Sequence, residues 1–381
     1  MTINNEHNKL NVPNLRFPEF QGEWEKCRLG DITENFNLRN KDKIQYPMFS
    51  VTNDRGFVPQ SEQFEGRDMV GEDIKAYKII HTNDFAYNPA RINVGSIAMY
   101  TGEKPCMISS LYVCFKTTKE VNNEWLMQLL KTPKMNYYYN VNGEGGVRVY
   151  LFYPNFARIR MSIPKIEEQK KIAKLLNLID ERIATQNKII EDLKKLKSAI
   201  SKKLLCNDKW TTYKIQDIAE IGRGRVISSV EIDRQKHPLY PVYSSQTSND
   251  GIMGYLDNYM FDGEYITWTT DGANAGTVFY RKGKFNCTNV CGTLKILPKF
   301  DCYFVSLVLQ QATQKYVSSN LANPKLMNNT MASIKIRMPN IETQKQLSKV
   351  FKTLDSCLLV HQRICKMYLS EKQYLLRQMF I

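Results

Sequence analysis

Two stretches of this chain repeat one helical phrase. IPKIEEQKKIAKLLNLIDERI occupies residues 163–183, and MPNIETQKQLSKVFKTLDSCL occupies residues 338–358. Seven of the 21 aligned positions are identical, and six more exchange one apolar residue for another. From Ile172 the first copy places Ile172, Leu176, Ile179, Ile183, Gln186, Ile190, Leu193, Lys197, Ile200 and Leu204 at alternating steps of four and three. The second places Leu347, Phe351, Leu354, Leu358, His361, Cys365, Tyr368, Lys372, Leu375 and Met379 in the same phase. A seam held for more than four heptads is what a coiled coil requires. Both seams are broken at the same two places, Gln186/His361 and Lys197/Lys372, as register devices would be in two helices built to meet. About 38 residues per helix corresponds to roughly 57 Å. Ile163-Pro164 and Met338-Pro339 precede the helices, and an acidic residue follows in the first turn, as suits a helix N-terminus.

The duplication extends upstream. Trp24-Glu-Lys-Cys-Arg-Leu-Gly-Asp31-Ile32 matches Trp210-Thr-Thr-Tyr-Lys-Ile-Gln-Asp217-Ile218, and Tyr46-Pro-Met-Phe-Ser50 matches Tyr240-Pro-Val-Tyr-Ser244. The plan is head, helix, head, helix, with boundaries 1–163, 164–206, 207–338 and 339–381. Within the heads, Ser96–Tyr100, Leu111–Phe115, Tyr265–Thr269, Thr277–Tyr280 and Thr293–Leu297 alternate as strands do. Glu124–Leu130 and Tyr303–Val317 read as helical. The expected fold is therefore two mixed α/β or α+β heads, joined and separated by two long helices packed as an antiparallel coiled coil, with a pseudo-twofold internal repeat.

The formal charge is +15, and its placement matters more than its size. Residues 1–163 hold 20 Lys and Arg against 18 acids, whereas the two helical segments together carry +9. No stretch of 18 apolar residues would span a membrane, so the basic excess points first to nucleic acid. A solvated helix surface is the competing reading of the same charge. The N-terminus has no apolar core of a signal peptide. Nine cysteines without a CxxC pair read as reduced thiols of a cytoplasmic protein.

Catalytic patterns are missing from the sequence. It has no GxxxxGK[ST] phosphate cradle and no GxGxxG after a strand. Asn88-Pro89-Ala90 and Asn323-Pro324-Lys325 lack the second proline and aromatic residue that would hold a flipped adenine. Asp73-Ile-Lys75 has no convincing acidic partner for a nuclease metal. His7, His81, His237 and His361 have neither metal nor triad spacing. The loops instead carry groups suited to base edges and phosphates. In the first head these are Asn53, Arg55, Arg67, Arg91, Asn93, Ser110 and Arg148, with Tyr137–Tyr139 nearby. In the second they are Arg223, Arg225, Ser245, Gln246, Asn274, Arg281, Lys284, Asn289 and Lys325. Gly143–Gly146 and Gly222-Arg-Gly-Arg225 would let backbone approach a ligand closely. An ordinary solvated surface competes with that reading at each position.

The opening Trp24, Arg28, Leu29, Asp31 and Ile32, the Tyr46-Pro47 strand, and the helix with Ile163, Pro164, Glu168, Gln169, Ile172, Leu176 and Asp180 form a distinctive order of motifs. The second copy has Trp210, Lys214, Ile215, Asp217, Ile218, Tyr240, Pro241, Met338, Pro339, Gln344, Leu347, Phe351 and Asp355. This duplicated order resembles the specificity subunit of type I restriction–modification enzymes over almost the whole chain. Thr343 in place of Glu168 and Met338 in place of Ile163 are departures expected to leave the amphipathic pattern intact. The resemblance implies two target recognition domains, each reading half of a bipartite, asymmetric site in double-stranded DNA. It implies a scaffold for two methyltransferase subunits and two restriction subunits. S-adenosylmethionine, ATP and magnesium would belong to those partners, leaving this chain non-catalytic and without a cofactor of its own. A coiled-coil scaffold without sequence-specific DNA binding, and a nuclease with a divergent metal site, are the alternatives.

Overall fold

The computed structural model describes residues 10–63, 74–145, 149–205, 207–318 and 323–381. The chain divides into two compact units, Met1–Asn187 with Arg363–Ile381, and Lys188–Gln362. Each unit thus owns half of each long helix.

The first unit runs β1 (Glu25–Arg28), β2 (Thr33–Phe36), β3 (Phe85–Tyr87), β4 (Ile97–Met99), β5 (Val113–Thr117), α1 (Asn123–Leu130), α2 (Pro133–Asn142) and β6 (Arg160–Ile163) into the long helix α3 (Ile166–Leu204). Opening strand β1 pairs antiparallel with closing strand β6. Between them lies an antiparallel sheet of order β2-β5-β3-β4. Phe85 faces Phe115 across that sheet, with ring centroids 4.9 Å apart, and both side chains are fully buried. Asn122 caps α1 by accepting the Trp125 N–H at 2.8 Å, and Thr132 does the same for α2 through Met135.

The second unit repeats the scheme. It has β7 (Thr211–Lys214), β8 (Ala219–Arg223), β9 (Glu264–Thr269), β10 (Val278–Lys282), β11 (Cys291–Ile296), α4 (Cys302–Ala312), β12 (Lys335–Met338) and the long helix α5 (Ile341–Gln378). Strands β7 and β12 form the opening-and-closing ribbon, and the sheet order β8-β11-β9-β10 is again first, last, second, third. Asp301 caps α4 through the Phe304 N–H at 2.7 Å. Helix α4 stops at Ala312 and passes into a 3-10 turn, Thr313–Tyr316, so the helix expected through Val317 is shorter. Tyr137–Tyr139 lies in helix α2 rather than in a loop, and Tyr139 is buried with its hydroxyl donating to the Leu130 carbonyl at 2.8 Å.

A buried glutamine joins each head to its long helix. Gln169 accepts the Asn122 N–H at 2.8 Å and donates to the Pro164 and Glu120 carbonyls at 2.9 and 3.1 Å. Gln344 accepts the Asp301 N–H at 2.9 Å and donates to the Pro339 carbonyl at 2.8 Å. Each side chain thus satisfies backbone groups on both sides of a buried junction, where an unpaired donor or acceptor would cost about 1–3 kcal/mol. The neighbouring exchange matters more than amphipathicity suggests. Glu168 is buried and takes a bidentate pair from Arg16 at 2.7 and 2.8 Å, with the Trp24 indole N–H at 3.3 Å. At Thr343 that ion pair has no counterpart, and Asn340 caps the Thr343 N–H instead.

The expected seam is the packed face of both helices. In the first unit Ile172, Leu176 and Ile179 are buried, with Ile183 and Tyr368 half-buried against the same core as Leu375 and Met379. In the second, Phe351 is fully buried with Leu347, Leu354 and Ile200 against it. There Ile190 is buried, and Leu193 and Leu358 are half-buried. Leu204 is exposed, and Leu205 takes the buried place at the end of the helix. The two seam lysines are interhelical. Lys372 donates to both carboxylate oxygens of Asp180 at 2.6 and 2.7 Å, and Lys197 donates to Asp355. These are the same pair formed twice with the helices exchanged. A neutral group from the head completes each: Gln128 donates to Asp180 at 2.9 Å, and the Tyr303 hydroxyl donates to Asp355.

Replacing Asp180 by Lys sets two ammonium groups together at a half-buried position, and should lower the unfolding free energy by about 1–2 kcal/mol. Adding Lys372→Asp to that variant should recover most of the loss. Urea unfolding of the full chain reads both.

Candidate nucleic-acid interface

In the first unit the chain makes a cleft of about 450 Å³ from three pieces: the turn after Thr52, the turn Arg91–Gly95 and the start of α2. Asn53, Asn93, Lys131 and Asn136 are the polar residues that line it. Gly95 makes the meeting possible. Its φ is +100°, and a Cβ there would lie 3.1 Å from the Asn53 carbonyl oxygen. The Asn93 amide donates to Asn140 on α2 at 3.0 Å, which fixes one side of the cleft. Arg55 and Arg91 are exposed beside these turns, Arg55 facing Glu62 at 3.8 Å. Ser110 sits in a separate exposed turn, Ser109–Tyr112. Arg67 and Arg148 lie outside the described residues, as do Asp73 and Gly146.

The second unit gathers a different set. Arg223, at the end of β8, donates to the Asn289 carbonyl at 2.6 Å, the Thr270 hydroxyl at 3.0 Å and Asp271 at 3.3 Å. Lys325 reaches the other oxygen of Asp271 at 3.8 Å. Thus Arg223 and Lys325 converge on one carboxylate, with the Asn289 carbonyl holding Arg223, leaving one net positive charge. Arg225 is engaged elsewhere. Its guanidinium forms a two-point pair with Glu231, raising the Arg225 pKa and lowering that of Glu231. Gly224 is needed for packing: a Cβ would sit 2.2 Å from the Cys287 carbonyl oxygen, so the close approach there is to the chain's own backbone. Lys284 is exposed over the Tyr259 ring, 4.4 Å from its centre, apart from the Asp271 cluster.

Arg281 is not a solvated base reader. It is 4% exposed and lies 3.6 Å over the Tyr243 ring. It donates to the Asp250 carboxylate at 2.8 Å and to the Asp250 carbonyl at 2.9 Å. Asn249, Asp250 and Gly251 all have positive φ, at 49°, 54° and 80°. Such a run costs energy in L-residues, and the buried guanidinium holds it in place. The braced loop carries Ser245 and Gln246, with the Ser245 carbonyl accepting from Asn274 at 3.3 Å and Gln246 tied to the Ile252 carbonyl. Alternation could not reveal this, because Arg281 faces inward from a strand that otherwise ends in charge.

Three contributors were not visible as candidates. Lys131 and Asn136 reach the first cleft from the junction and first turn of α2, where nothing local marks them. Asp271 organises the second cluster although an acid does not suggest phosphate binding. Cys287 and Cys291 are both buried, and burial pushes the Cys291 thiol up to about 11, so neither offers a thiolate near neutrality.

The model of the type I restriction modification DNA specificity domain matches this chain twice, over residues 21–195 and 207–366. The chain belongs to the type I restriction–modification DNA specificity family. The two matches coincide with the two copies of the ribbon, sheet and long-helix scheme. A Mycoplasma pneumoniae protein named as a type I specificity subunit is 39% identical over 197 residues, covering 51% of this chain and 82% of the relative. In fold, the chain is similar to the S subunit of the type I system of M. genitalium, with a TM-score of 0.69 at 15% identity over 97% of this chain and 99% of that one. A chain from a type I restriction–modification assembly matches with a TM-score of 0.55 at 11% identity, over 93% of this chain and 96% of that one.

Replacing Arg281 by Met should cost about 2–3 kcal/mol, because it strips the brace from a strained loop and leaves polar groups without partners. Replacing exposed Arg91 by Ala should stay within about 0.5 kcal/mol. Chemical denaturation of the two variants beside the parent chain measures the difference.

Proposed function

We propose that this chain is the DNA-reading subunit of a type I restriction–modification complex, with each unit recognising one half of a bipartite duplex site. One observation carries the reading: a single frame is built twice, and the loops mounted on it differ chemically. The first copy presents an amide-rich cleft at Asn53, Asn93 and Asn136. The second presents Arg223 and Lys325 arranged on Asp271. Amide side chains suit adenine edges, whereas Arg suits guanine edges and phosphates. Two unlike heads imply two unlike half-sites, so the whole site is asymmetric.

The spacing between half-sites is set by α3 and α5, which are 39 and 38 residues long. At 1.5 Å per residue each spans roughly 57 Å, more than one turn of duplex at about 34 Å. Bases between the half-sites are unread. Modification of adenine by two methyltransferase subunits using S-adenosylmethionine, and cleavage by two restriction subunits using ATP and magnesium, belong to the partners. This chain orients them and performs no chemistry itself.

Inserting one heptad into α3 between Ile183 and Leu204, with its match after Leu358, should lengthen the unread gap and leave both half-sites unchanged. Exchanging residues 207–338 for another head should replace one half-site only. Single-molecule methylation mapping, in cells that supply the methyltransferase, reads both. An unchanged gap would defeat the ruler, and two altered half-sites would defeat modular reading. Cleavage of duplex by the purified chain with magnesium would show a nuclease instead.

A further inference from the structure

The ribbons that open and close the two units carry the same unusual charge pattern. In β1 and β6, Arg28 stands directly opposite Arg160, and Lys26 stands opposite Ser162 on the same face. In β7 and β12, Lys214 stands directly opposite Lys335, and Thr212 stands opposite Arg337 on the same face. Like charges directly opposed in a ladder destabilise it, and this chain opposes them at the same point of both copies. All six cations are exposed, and the cation-bearing face of each ribbon has no acid or apolar side chain at its ladder positions; Glu25 and the apolar residues Met161, Ile163, Ile336 and Met338 lie on the opposite faces. Some neutralisation comes from the flanks. Exposed Asp208 pairs with Arg337, whereas the Asp31 bond is to the Arg28 backbone N–H, at 2.7 Å, and not to its guanidinium. In the first unit the ribbon also walls a cleft of about 440 Å³ that Lys134 enters from α2. Burial pushes the Lys134 ammonium down, a cost that an anion in the cleft would offset.

We infer that each ribbon is a clamp for the phosphate backbone of duplex DNA, gripping it independently of sequence while the loops of the same unit read bases. This rests on the reading of each unit as a DNA-recognition head. An acidic protein surface could also satisfy cations, but protein interfaces are apolar and poor in charge at their centres. A face of three cations and a hydroxyl with no apolar position is what phosphates take, through Lys, Arg, Ser and Thr. In the first unit Ser162 is itself bonded to Asn11, which leaves the three cations as the contact.

The test uses the full chain with its methyltransferase and a 40-base-pair duplex of random sequence, titrated across salt concentrations. The variants are Arg28→Gln with Arg160→Gln, Lys214→Gln with Lys335→Gln, and all four together. Each lost phosphate contact removes about 0.9 from the slope of log affinity against log salt. Each double variant should therefore lower the slope by about 1.8, and the quadruple variant by about 3.6. The methylated motif should stay the same, and Arg28→Lys with Arg160→Lys should keep the parent slope. Relieving like-charge opposition should leave the melting temperature unchanged or higher, so variants that unfold would overturn the assignment. An unchanged slope with the motif still methylated would overturn the clamp and leave the head reading standing. Unchanged DNA binding with loss of the co-purifying methyltransferase would overturn it in favour of an acidic protein face. A parent chain that directs no methylation and binds no duplex would refute the head reading itself.

Discussion

The pairing of Asp180 with Lys372, and of Asp355 with Lys197, is the constraint on which the remaining architecture depends. A single amphipathic helix of this length has an apolar stripe that could slide along a partner by whole heptads. A charge set within the stripe removes that freedom, because only one offset brings it to its carboxylate. Gln128 and the Tyr303 hydroxyl, reaching out of the heads, extend the same constraint to the globular parts. The register of the helices and the seating of each head are therefore settled by one three-membered polar contact, made once per unit. An apolar residue at each lysine could pack as well or better, so the polar contact is best understood as specifying register.

The second tier is the pair of buried glutamines. Gln169 and Gln344 each bridge the cap of a head helix and the carbonyl of the proline that precedes a long helix. They explain in physical terms why the phrase P-x-I-E-x-Q recurs while much of its surroundings drifts. Proline sets the entry, and glutamine satisfies the backbone on both sides of it. The adjacent glutamate is a different case. Its pair with Arg16 belongs to the first unit, and the second unit manages with a side-chain cap on Thr343.

Much of the frame was legible because it obeys periodicity. The long helices were marked by unbroken steps of four and three, and strands such as β9 and β11 by alternation. The duplicated order of motifs identified the two copies as relatives of each other. The loops resisted for an equally physical reason: whether an arginine faces solvent depends on residues far away in sequence. Arg223 and Arg281 look alike in the sequence, yet one ends at an exposed carboxylate cluster and the other lies under a loop that runs through left-handed backbone. Asn53 and Asn93 share a cleft only because Gly95 tolerates the Asn53 carbonyl from far upstream. Lys131 and Asn136 join them through a capped turn whose direction no local pattern predicts. Function at the level of the family was accessible from the repeat, whereas the reading surface required the fold.

In each unit the first and last strands of the head lie side by side, β1 against β6 and β7 against β12. Entry and exit of the polypeptide are therefore adjacent, and everything between them is a closed excursion from one doorway. The geometry that the doorway presents to the helices is indifferent to how long or how varied that excursion is. Here the two excursions already differ in length and in the chemistry of their loops. A lineage could thus trade whole excursions between chains by crossing over at the two short strands, acquiring new reading specificities without redesigning the helices that carry them.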